Sequence, residues 1–390
     1  PYIVALGAIF HEDHTCITIY GEKEDPTQEK TAQKLAQFSN HDADAWLKLW
    51  KMWKDTIEPA FLKWVFNPPP PSGVPDLMEE ALSNPKVGID PIWMVKSPLE
   101  VLRDLFDSEE LICCLLRCAQ SWHGVSPDMP AMGLAQIMAS LALVGFGCIV
   151  GGTHSYAHSA HKVFLENGGK SFTKHGVNKV IIENGKAKGI RLDDGTEIEA
   201  RKLIVSTLDP YTLCFRLIGE EYLSRQMRQR IKYLSRKGLT ITWYQWAVHE
   251  LPRYRASDFN PDINLCAHLD LTNKNPYELV YEDAWMKLGK MPPTLSPVAW
   301  QHTLVDKTRA PKGKHVVGTE QLVLSADQLS EKEWREFKKT HAEDLIRHWQ
   351  EYAPNMNWDN VIGYVPLTPF DYCHLDNMAP EGNIVVINIK

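Results

Sequence analysis

Glycine pairs in the middle of the chain place the strongest restriction on its fold. Gly151-Gly152 ends an apolar segment, and Gly168-Gly169 ends a stretch whose apolar residues recur at helical spacing. Glycine adopts positive φ without strain, so such pairs permit an abrupt change of chain direction and a close approach of the backbone to another element. The pattern predicts a helix over residues 153–167 that lies between two sharp turns.

Short strands joined by tight turns are predicted to follow this helix. Asn184-Gly185 and Asp194-Gly195 favour two-residue hairpin turns, because these residue types accept positive φ. The predicted strands lie at 171–173, 177–183 and 189–192, with two more short strands within 197–208. Residues 151–210 are therefore expected to form one helix packed on a small antiparallel sheet.

The rest of the chain mixes strand-like and helical segments and shows no internal repeat. Residues 1–20 alternate like two strands around the turn HEDH, and residues 27–64 carry tryptophans at helical spacing. Four prolines at 68–71 break the chain, and residues 330–352 have the pattern of a long amphipathic helix. A chain of 390 residues with this mixture predicts an α/β fold in two domains.

Charge and composition argue against some classes of function. The net charge is −7 and the basic residues are dispersed, which argues against a nucleic-acid-binding protein. The 13 Trp and 13 Tyr residues leave two interpretations open, large apolar cores or a roomy aromatic-lined pocket for an apolar ligand.

No metal site is expected from the cysteines or histidines. The eight cysteines contain no C-x-x-C pair and lie mostly in apolar runs, which indicates buried thiols in a reducing compartment. Cys114 and Cys118 have no second ligand pair nearby. His154, His158 and His161 share one helix face, but we expect that face to point to solvent or a domain boundary, opposite a core face marked by Tyr156, Ala160, Val163 and Phe164.

One uncharged stretch could form either a membrane-spanning helix or a buried helix. Residues 131–150 are long enough to span a bilayer. Gln136 lies inside this stretch, and Gly145 and Gly147 interrupt its end, so a buried helix followed by a buried strand that enters Gly151 is the better prediction.

The ordered string from Gly151 to Pro210 resembles the second flavin-binding segment of the phytoene desaturase-like FAD oxidoreductases, a family that includes carotenoid desaturases and retinol saturase. That family shows a Gly-Gly pair, a helix, a second Gly-Gly pair, a V-x-x-I/V strand, G-x-x-x-G, Asp-Gly and an apolar strand that closes with Asp-Pro. All of these elements occur here in order. Similarity continues through TLCFRLIGEEYL, WAVHELPRY and TPFDY, so it covers most of the chain.

The resemblance implies a two-domain fold like that of FAD-dependent amine oxidases and phytoene desaturases. Residues 151–210 and 368–390 would belong to the FAD-binding domain, whereas 1–150 and 211–367 would form the substrate domain. It also implies a dehydrogenase or desaturase that oxidises an apolar, isoprenoid or alicyclic molecule by hydride transfer to FAD. The substrate, the electron acceptor and the catalytic base are not implied.

The sequence also departs from the family pattern. No G-x-G-x-x-G occurs, although the family opens with this phosphate-binding turn, and the chain stops before the Gly-rich segment that closes the family's flavin site. Three explanations stay open: a fragment of a longer chain, a partner chain that supplies the missing segments, or a paralogue without cofactor. The alternative function is therefore a non-catalytic binding or scaffold subunit, or one chain of a heteromeric flavoenzyme.

Several residues become candidates through the resemblance. Val177 would meet the FAD adenine through its main chain, with Gly151 and Gly152 at the turn nearby. Further candidates, assigned from the predicted strands and loops, are Phe146, Cys148 and Trp246 for the substrate pocket and His154, His123 and Tyr244 as weak catalytic candidates.

The expected partner is an apolar small molecule, with a homo- or hetero-oligomer left open. We expect a soluble cytoplasmic protein whose exposed apolar surface allows peripheral contact with a membrane.

Overall fold

The structure is a computed structural model that describes residues 3–68, 70, 71, 73–234, 240–375, 381 and 382. Within this range the side chains of Leu77, Lys86, Trp122 and His123 are not described. The chain divides into two compact units. The first contains Pro1–Gly152, Thr242–Leu324 and Arg335–Pro366, and the second contains Thr153–Ile241, Ser325–Trp334 and Leu367–Lys390.

Helices and strands both contribute, so the predicted mixed α/β class is confirmed. The strands are β1 (Val4–Phe10), β2 (Cys16–Tyr20), β3 (Val177–Glu183), β4 (Lys186–Leu192), β5 (Glu197–Glu199), β6 (Ile241–Val248), β7 (Cys266–Thr272), β8 (Val298–Trp300), β9 (His315–Leu322) and β10 (Val361–Leu367). The α-helices are α1 (Glu29–Leu35), α2 (Asn40–Met52), α3 (Glu58–Phe66), α4 (Leu77–Leu82), α5 (Pro98–Leu105), α6 (Glu109–His123), α7 (Gly133–Val144), α8 (Thr153–Glu166), α9 (Arg225–Lys232), α10 (Pro276–Lys287), α11 (His302–Val305), α12 (Glu331–Tyr352) and α13 (Pro369–Leu375).

A seven-stranded mixed sheet organises the first unit, in the order β10-β6-β9-β8-β7-β1-β2. β1 pairs antiparallel with β2 and parallel with β7, and β7, β8 and β9 pair antiparallel in turn. Every residue of β1, β2 and β7 is buried, which explains why these strands are predominantly apolar. The predicted HEDH turn joins β1 to β2, and His14 in it has a φ of 56°.

Each face of this sheet packs against its own set of helices. One face forms a core with α12, in which Leu345 and Trp349 pack with Leu269 and Leu271 of β7. The other face, at the β1 and β2 end, forms a second core with α2, α5, α6 and α7. In β2, Cys16 and Tyr20 belong to the core with α12 and Ile17 and Ile19 to the other core, because side chains on a strand point to opposite faces.

Tyr244 and Trp246 lie in the core shared with α12 rather than at a pocket surface. Both are fully buried. The Tyr244 hydroxyl donates to the carbonyl oxygen of Lys338 at 3.0 Å, and the Trp246 indole N–H donates to Thr319 Oγ1 at 3.0 Å. Alternation puts both residues on one face as predicted, but the face is the one that α12 covers. Neither side chain is therefore available to a substrate.

The second unit contains the predicted helix and hairpins. Gly151, Gly152 and Gly168 all have positive φ, and α8 occupies Thr153–Glu166 between them. β3, β4 and β5 form an antiparallel sheet in that order. Asn184, Gly185 and Gly195 also have positive φ, so the two predicted tight turns are confirmed. Residues 211–241 belong to this unit, whereas the sequence places them in the other domain, because the π-helix Thr212–Ile218 packs against β3.

Two predictions about this unit are wrong. Residues 171–173 form no strand, and of the two strands predicted within 197–208 only β5 (Glu197–Glu199) is present, with Leu203 and Val205 76% and 77% exposed. The pairing of β5 with β4 reaches Ala200, whose N–H donates to the carbonyl oxygen of Lys188 at 2.7 Å, and a strand needs such a neighbour for its backbone hydrogen bonds. The predicted core face of α8 is also exposed, with Tyr156 at 67% and Val163 at 57%.

The uncharged stretch forms the predicted buried helix but not the strand after it. α7 (Gly133–Val144) is largely buried, and Gln136 Nε2 donates to the carbonyl oxygen of Leu115 at 2.8 Å. Residues 145–150 form no strand, and the glycines at 145 and 147 explain why the regular structure ends. Among the described residues, no helix combines the length and the apolar character required to cross a bilayer.

Replacing Trp246 with alanine should destabilise the first unit strongly. A cavity at this fully buried position is expected to cost about 3–5 kcal/mol of unfolding free energy. Trp243→Ala on the same strand is the matched control, because Trp243 is only partly buried and should cost roughly half of this or less. Urea unfolding of both variants measures the difference, and equal losses would contradict the assignment of the two faces.

Candidate functional site

Aromatic rings cover the sheet face opposite α12 at strands β6, β8 and β9. Trp243 lies 5.9 Å from Trp300 and 6.1 Å from His302 between ring centroids. Trp300 and His302 are stacked at 6.2 Å with an interplanar angle of 14°. All three side chains are only partly buried. We call Trp243, Trp300 and His302, together with Gln245, the aromatic face.

Gly318 gives the aromatic face its shape. A Cβ at this position would lie 3.3 Å from Gln245 Nε2, 3.3 Å from His302 Nε2 and 3.5 Å from the Trp300 Cβ. The two contacts at 3.3 Å are tighter than ordinary van der Waals packing. The absence of a side chain therefore lets the amide of Gln245 and the imidazole of His302 come within 3.5 Å of each other.

The imidazole of His302 is neutral at physiological pH. Burial lowers its pKa to about 4, and the charge of Arg309 lowers it further. A neutral imidazole has one donor nitrogen and one acceptor nitrogen. The aromatic face thus offers ring surfaces for an apolar ligand and two polar groups, Gln245 and His302, that can orient it by hydrogen bonding.

A hydrogen-bonded loop lies beside His302 in the chain and includes three of the predicted residues. The Gly151 N–H donates to Asp306 Oδ2 at 2.7 Å, and Arg309 Nε lies 3.2 Å from the same oxygen. The Arg309 guanidinium also donates to Cys148 Sγ at 3.1 Å and would lie 3.5 Å from a Cβ at Gly152. Gly151 and Gly152, with φ of 79° and 83°, allow this turn because other residues would be strained there.

The Asp306 carboxylate is ionised and accepts the hydrogen bonds that hold this loop together. Its pKa falls to about 2, first because the Thr308 hydroxyl donates to it and then because the Gly151 and Thr308 N–H groups and Arg309 do so as well. A carboxylate that accepts several hydrogen bonds is stabilised in its charged form. Sequence reasoning placed Gly151 and Gly152 at a turn but did not find Asp306 or Arg309.

Behind Trp300 lies a group of buried ionisable side chains. The His268 imidazole stacks on Trp300 with 4.5 Å between ring centroids and 3° between planes. Its Nε2 lies 3.7 Å from Asp270 Oδ1. Strand register places His268 opposite Trp300 and aligns Val298 with both Asp270 and Glu320, so these residues share the sheet face that carries the aromatic rings.

Helices supply the rest of this group, which we call the buried ionisable cluster: Arg117, His268, Asp270, Glu282 and Glu320. All five residues are at least 95% buried. Arg117 Nη1 donates to Gln120 Oε1 at 3.1 Å, whereas its Nε and Nη2 have no hydrogen-bond partner among the described residues. A buried unpaired donor is costly, so a cluster of this kind needs a functional or structural explanation.

Burial also sets the protonation of the cluster. It lowers the pKa of His268 to about 3, raises the pKa of Asp270 well above its usual range and raises the pKa of Glu282. It raises the pKa of Glu320 to about 7, although Arg117, Ser121 and Trp300 favour the carboxylate. Glu320 therefore titrates near neutral pH.

One sequence pattern indicates part of this cluster. The segment CAHLDLT of β7 alternates between polar and apolar residues, and such alternation in a strand predicts a polar face. Arg117 and Glu282 gave no such signal, because each is a single charged residue in a helical segment. Their proximity to β7 is a tertiary contact between segments distant in sequence.

The other predicted site residues lie outside the aromatic face. Val177 opens β3, the edge strand of the small sheet, where it pairs with Leu192. Phe146 is 42% exposed and lies in the irregular segment after α7, not on the predicted strand. His154 is exposed, and its Nε2 lies 2.7 Å from His158 Nε2. His123 is the last residue of α6, and its side chain lies outside the described part of the structure.

Within the described residues, one three-residue group has metal-ligand geometry: His41, Asp42 and Asp107. Its buried member, Asp42, already accepts hydrogen bonds from the Asp107 N–H at 2.6 Å and the Ser108 N–H at 3.0 Å. Asp42 thus stabilises the start of α6, and its oxygens are occupied by this structural role.

Comparison with known proteins found structural likenesses alone. No protein-family model matches the sequence, and no curated protein matches it either. A solved oxidoreductase from Methanosarcina mazei is 19% identical, with a TM-score of 0.48, and the match covers 70% of this chain and 56% of that one. A redesigned putrescine oxidase is 12% identical, with a TM-score of 0.49, over 96% and 68% of the two chains. Cyclohexylamine oxidase from Brevibacterium oxydans is 10% identical, with a TM-score of 0.47, over 97% and 70%.

Replacing Asp306 with asparagine should loosen the Gly151 turn. Because the folded pKa lies below the ordinary value of 3.8, the stabilisation by Asp306 is present above that pH and is lost as the pH falls toward about 2. The variant should lack this acid-dependent loss and should show faster hydrogen exchange at the Gly151 amide. Unchanged exchange, measured by mass spectrometry near neutral pH, would show that Asp306 does not hold the turn.

Glu320 should make the protein less stable as the pH rises. Its folded pKa of about 7 exceeds its ordinary value of 4.5, so the folded state binds more protons between these values. Relative to Glu320→Gln, the wild-type unfolding free energy should fall by roughly 3 kcal/mol between pH 4.5 and 7. Denaturant titrations across this range measure the difference, and parallel pH profiles for the two proteins would refute the shifted pKa.

Proposed function

We propose that this chain is part of a flavin-dependent oxidoreductase that dehydrogenates an apolar molecule, in the manner of the phytoene desaturase-like family. The main support for this function is the ordered series of motifs in residues 151–210. Its Gly-Gly pair, helix, second pair and two Gly-containing turns fold as one helix followed by an antiparallel sheet with positive φ at the turns. Sequence resemblance and local structure therefore support the same segment as part of an FAD-binding domain.

The main chain at the start of β3 fits the adenine end of an FAD site of this kind. β3 is an edge strand, so main-chain groups at its start near Val177 are available to meet an adenine ring, as the resemblance implies. Bound FAD would supply the hydride-accepting chemistry.

The aromatic face supports an apolar substrate. Trp243 and Trp300 offer ring surfaces on which a planar or alicyclic molecule can pack, with little conformational freedom to lose. Gln245 and neutral His302 would orient a substrate oxygen, if the substrate carries one, while the rings exclude water from the reacting carbons. Isoprenoid or alicyclic molecules fit this proposal.

One observation favours the second candidate, a chain that works together with additional polypeptide. The second unit exposes Tyr156, Val163, Phe164, Leu203 and Val205, each by at least 49%. Apolar surface of this extent usually marks an interaction surface. A segment elsewhere in a longer chain or a partner subunit would cover it, and either could carry the phosphate-binding turn.

The absorption spectrum of the native protein tests the proposed function. Protein isolated from its natural source should show the two visible bands of an oxidised flavin, and heat denaturation should release FAD into the filtrate, identified by mass spectrometry. The same preparation should lose its visible bands when an apolar substrate is added without oxygen. A colourless preparation, with its intact mass confirmed, would support the non-catalytic alternative.

A further inference from the structure

A cavity in the first unit lies on the α12 side of the large sheet, opposite the aromatic face. Its volume is about 420 Å³, which is within the usual range for small-molecule sites. Residues 291–295, residues 321–323 at the end of β9 and one side of α12 form its walls. The α12 residues that line it include five spaced three or four apart, which puts them on one side of the helix: Phe337, His341, Asp344, His348 and Glu351.

His341 is a nearly fully buried polar side chain in the wall of this cavity, with only 4% of its surface exposed. Its ring stacks on Phe337 with 4.7 Å between centroids and 18° between planes. It also packs edge-on against Tyr244 at 5.5 Å. These two rings hold the imidazole in one orientation, so its polar atoms have fixed positions in the wall.

Hydrogen bonding determines which nitrogen of His341 carries the proton. The Thr242 hydroxyl donates to the carbonyl oxygen of Gln321 at 3.5 Å, so its oxygen accepts from His341 Nε2 at 3.3 Å. Nδ1 is then the acceptor nitrogen, and it is neither hydrogen-bonded nor fully enclosed among the described residues. Burial lowers the pKa of His341 to about 3, so this nitrogen stays unprotonated at physiological pH. The cavity wall therefore offers one hydrogen-bond acceptor that a ligand can reach.

Most of the wall around this acceptor is apolar. Leu322 and Val323 continue the sheet side, and Leu295 belongs to the segment that faces α12. Pro292 and Pro293 in the same segment restrict its backbone, so this wall has little freedom to collapse into the cavity. An apolar site with a single reachable acceptor suits an apolar molecule that carries a hydrogen-bond donor.

The charged residues of the cavity disfavour a charged ligand. Arg347 Nη2 lies 3.0 Å from Asp344 Oδ1, and these side chains are 70% and 46% exposed, so both charges remain hydrated. Glu351 adds a second carboxylate, which disfavours an anionic molecule. An ammonium group at His341 would lose its hydration without an opposite charge beside it. The donor that reaches His341 is therefore an uncharged group such as a hydroxyl.

We propose that this cavity binds an uncharged apolar molecule, about the size of a substituted phenol, through a hydroxyl group that donates to His341 Nδ1. The apolar body of the ligand lies against Leu322 and the two prolines. The cavity is a second small-molecule site of the first unit, because the large sheet separates it from the aromatic face. Its binding is independent of flavin and of the proposed function.

Two probes that differ only at the donor test the proposal. 4-Propylphenol carries the hydroxyl group, whereas 4-propylanisole has a methyl group in place of the hydroxyl hydrogen. In titrations of the native protein followed by NMR, the phenol should bind about tenfold more tightly, as one hydrogen bond to a buried acceptor implies. His341→Phe keeps the stacked ring and removes the acceptor, so it should abolish this difference. Arg347→Gln is the matched control within the cavity and should preserve it.

Trp243→Ala distinguishes this cavity from the aromatic face and should leave the preference for the phenol unchanged. Equal affinities of the two probes for the native protein, a preference that persists in His341→Phe, or a preference lost in Trp243→Ala would overturn the proposal. A crystal structure of the native protein with 4-propylphenol decides the matter without any variant. The phenol oxygen should lie within hydrogen-bond distance of His341 Nδ1, and a phenol bound elsewhere would contradict the assignment.

Discussion

In the large sheet of the first unit, side chains alternate between the two faces. This alternation separates the apolar core under α12 from the polar and aromatic side chains on the opposite face. In β7, Leu269 and Leu271 point toward α12, whereas His268 and Asp270 point to the opposite face. Strands β8, β9 and β6 continue the same division, with Trp246 on the α12 side and Trp243 on the other. Because a strand offers each face every second residue, a strongly apolar face toward α12 leaves the intervening positions for polar and aromatic side chains.

The sheet face opposite α12 also buries several ionisable side chains. Helices α6 and α10 bring Arg117 and Glu282 to the polar side of β7 and β9, where Asp270 and Glu320 are buried. Such groups rarely stabilise a fold, because desolvation offsets their mutual attraction. Proton uptake by the carboxyl groups lowers this cost, so the cluster depends on protonation as well as on ion pairing. An apolar core of equal volume would give more stability, which is why a functional explanation is preferable.

Local patterns predicted local structure well. The helix between Gly152 and Gly168 and the turns at Asn184-Gly185 and Asp194-Gly195 follow from residue types that accept positive φ, and the structure contains all of them. Periodicity also showed which residues of β6 share a face. It does not show which face a helix covers, so it predicts a catalytic role for Tyr244 and a pocket position for Trp246, although α12 buries both side chains.

Features that depend on distant segments were not predictable. Asp306 and Arg309 stabilise the Gly151 turn from a position far along the chain, and the Arg117 cluster joins α6, β7, β9 and α10. The apolar residues at 203 and 205 read as a strand, yet they need a neighbour that the described residues do not provide. A sequence pattern indicates which secondary structure a segment can form. Whether that structure forms depends on the segments that pack against it.

We propose that residues 151–210 belong to a flavin-binding domain. Hydrogen exchange along β3 tests it most directly, with the native protein compared before and after its cofactor is removed. We expect slower exchange at and next to Val177 when FAD is present, because an adenine ring at the strand edge would protect main-chain amides there. Equal exchange along β3 in both states, with protection confined to other segments, would contradict it.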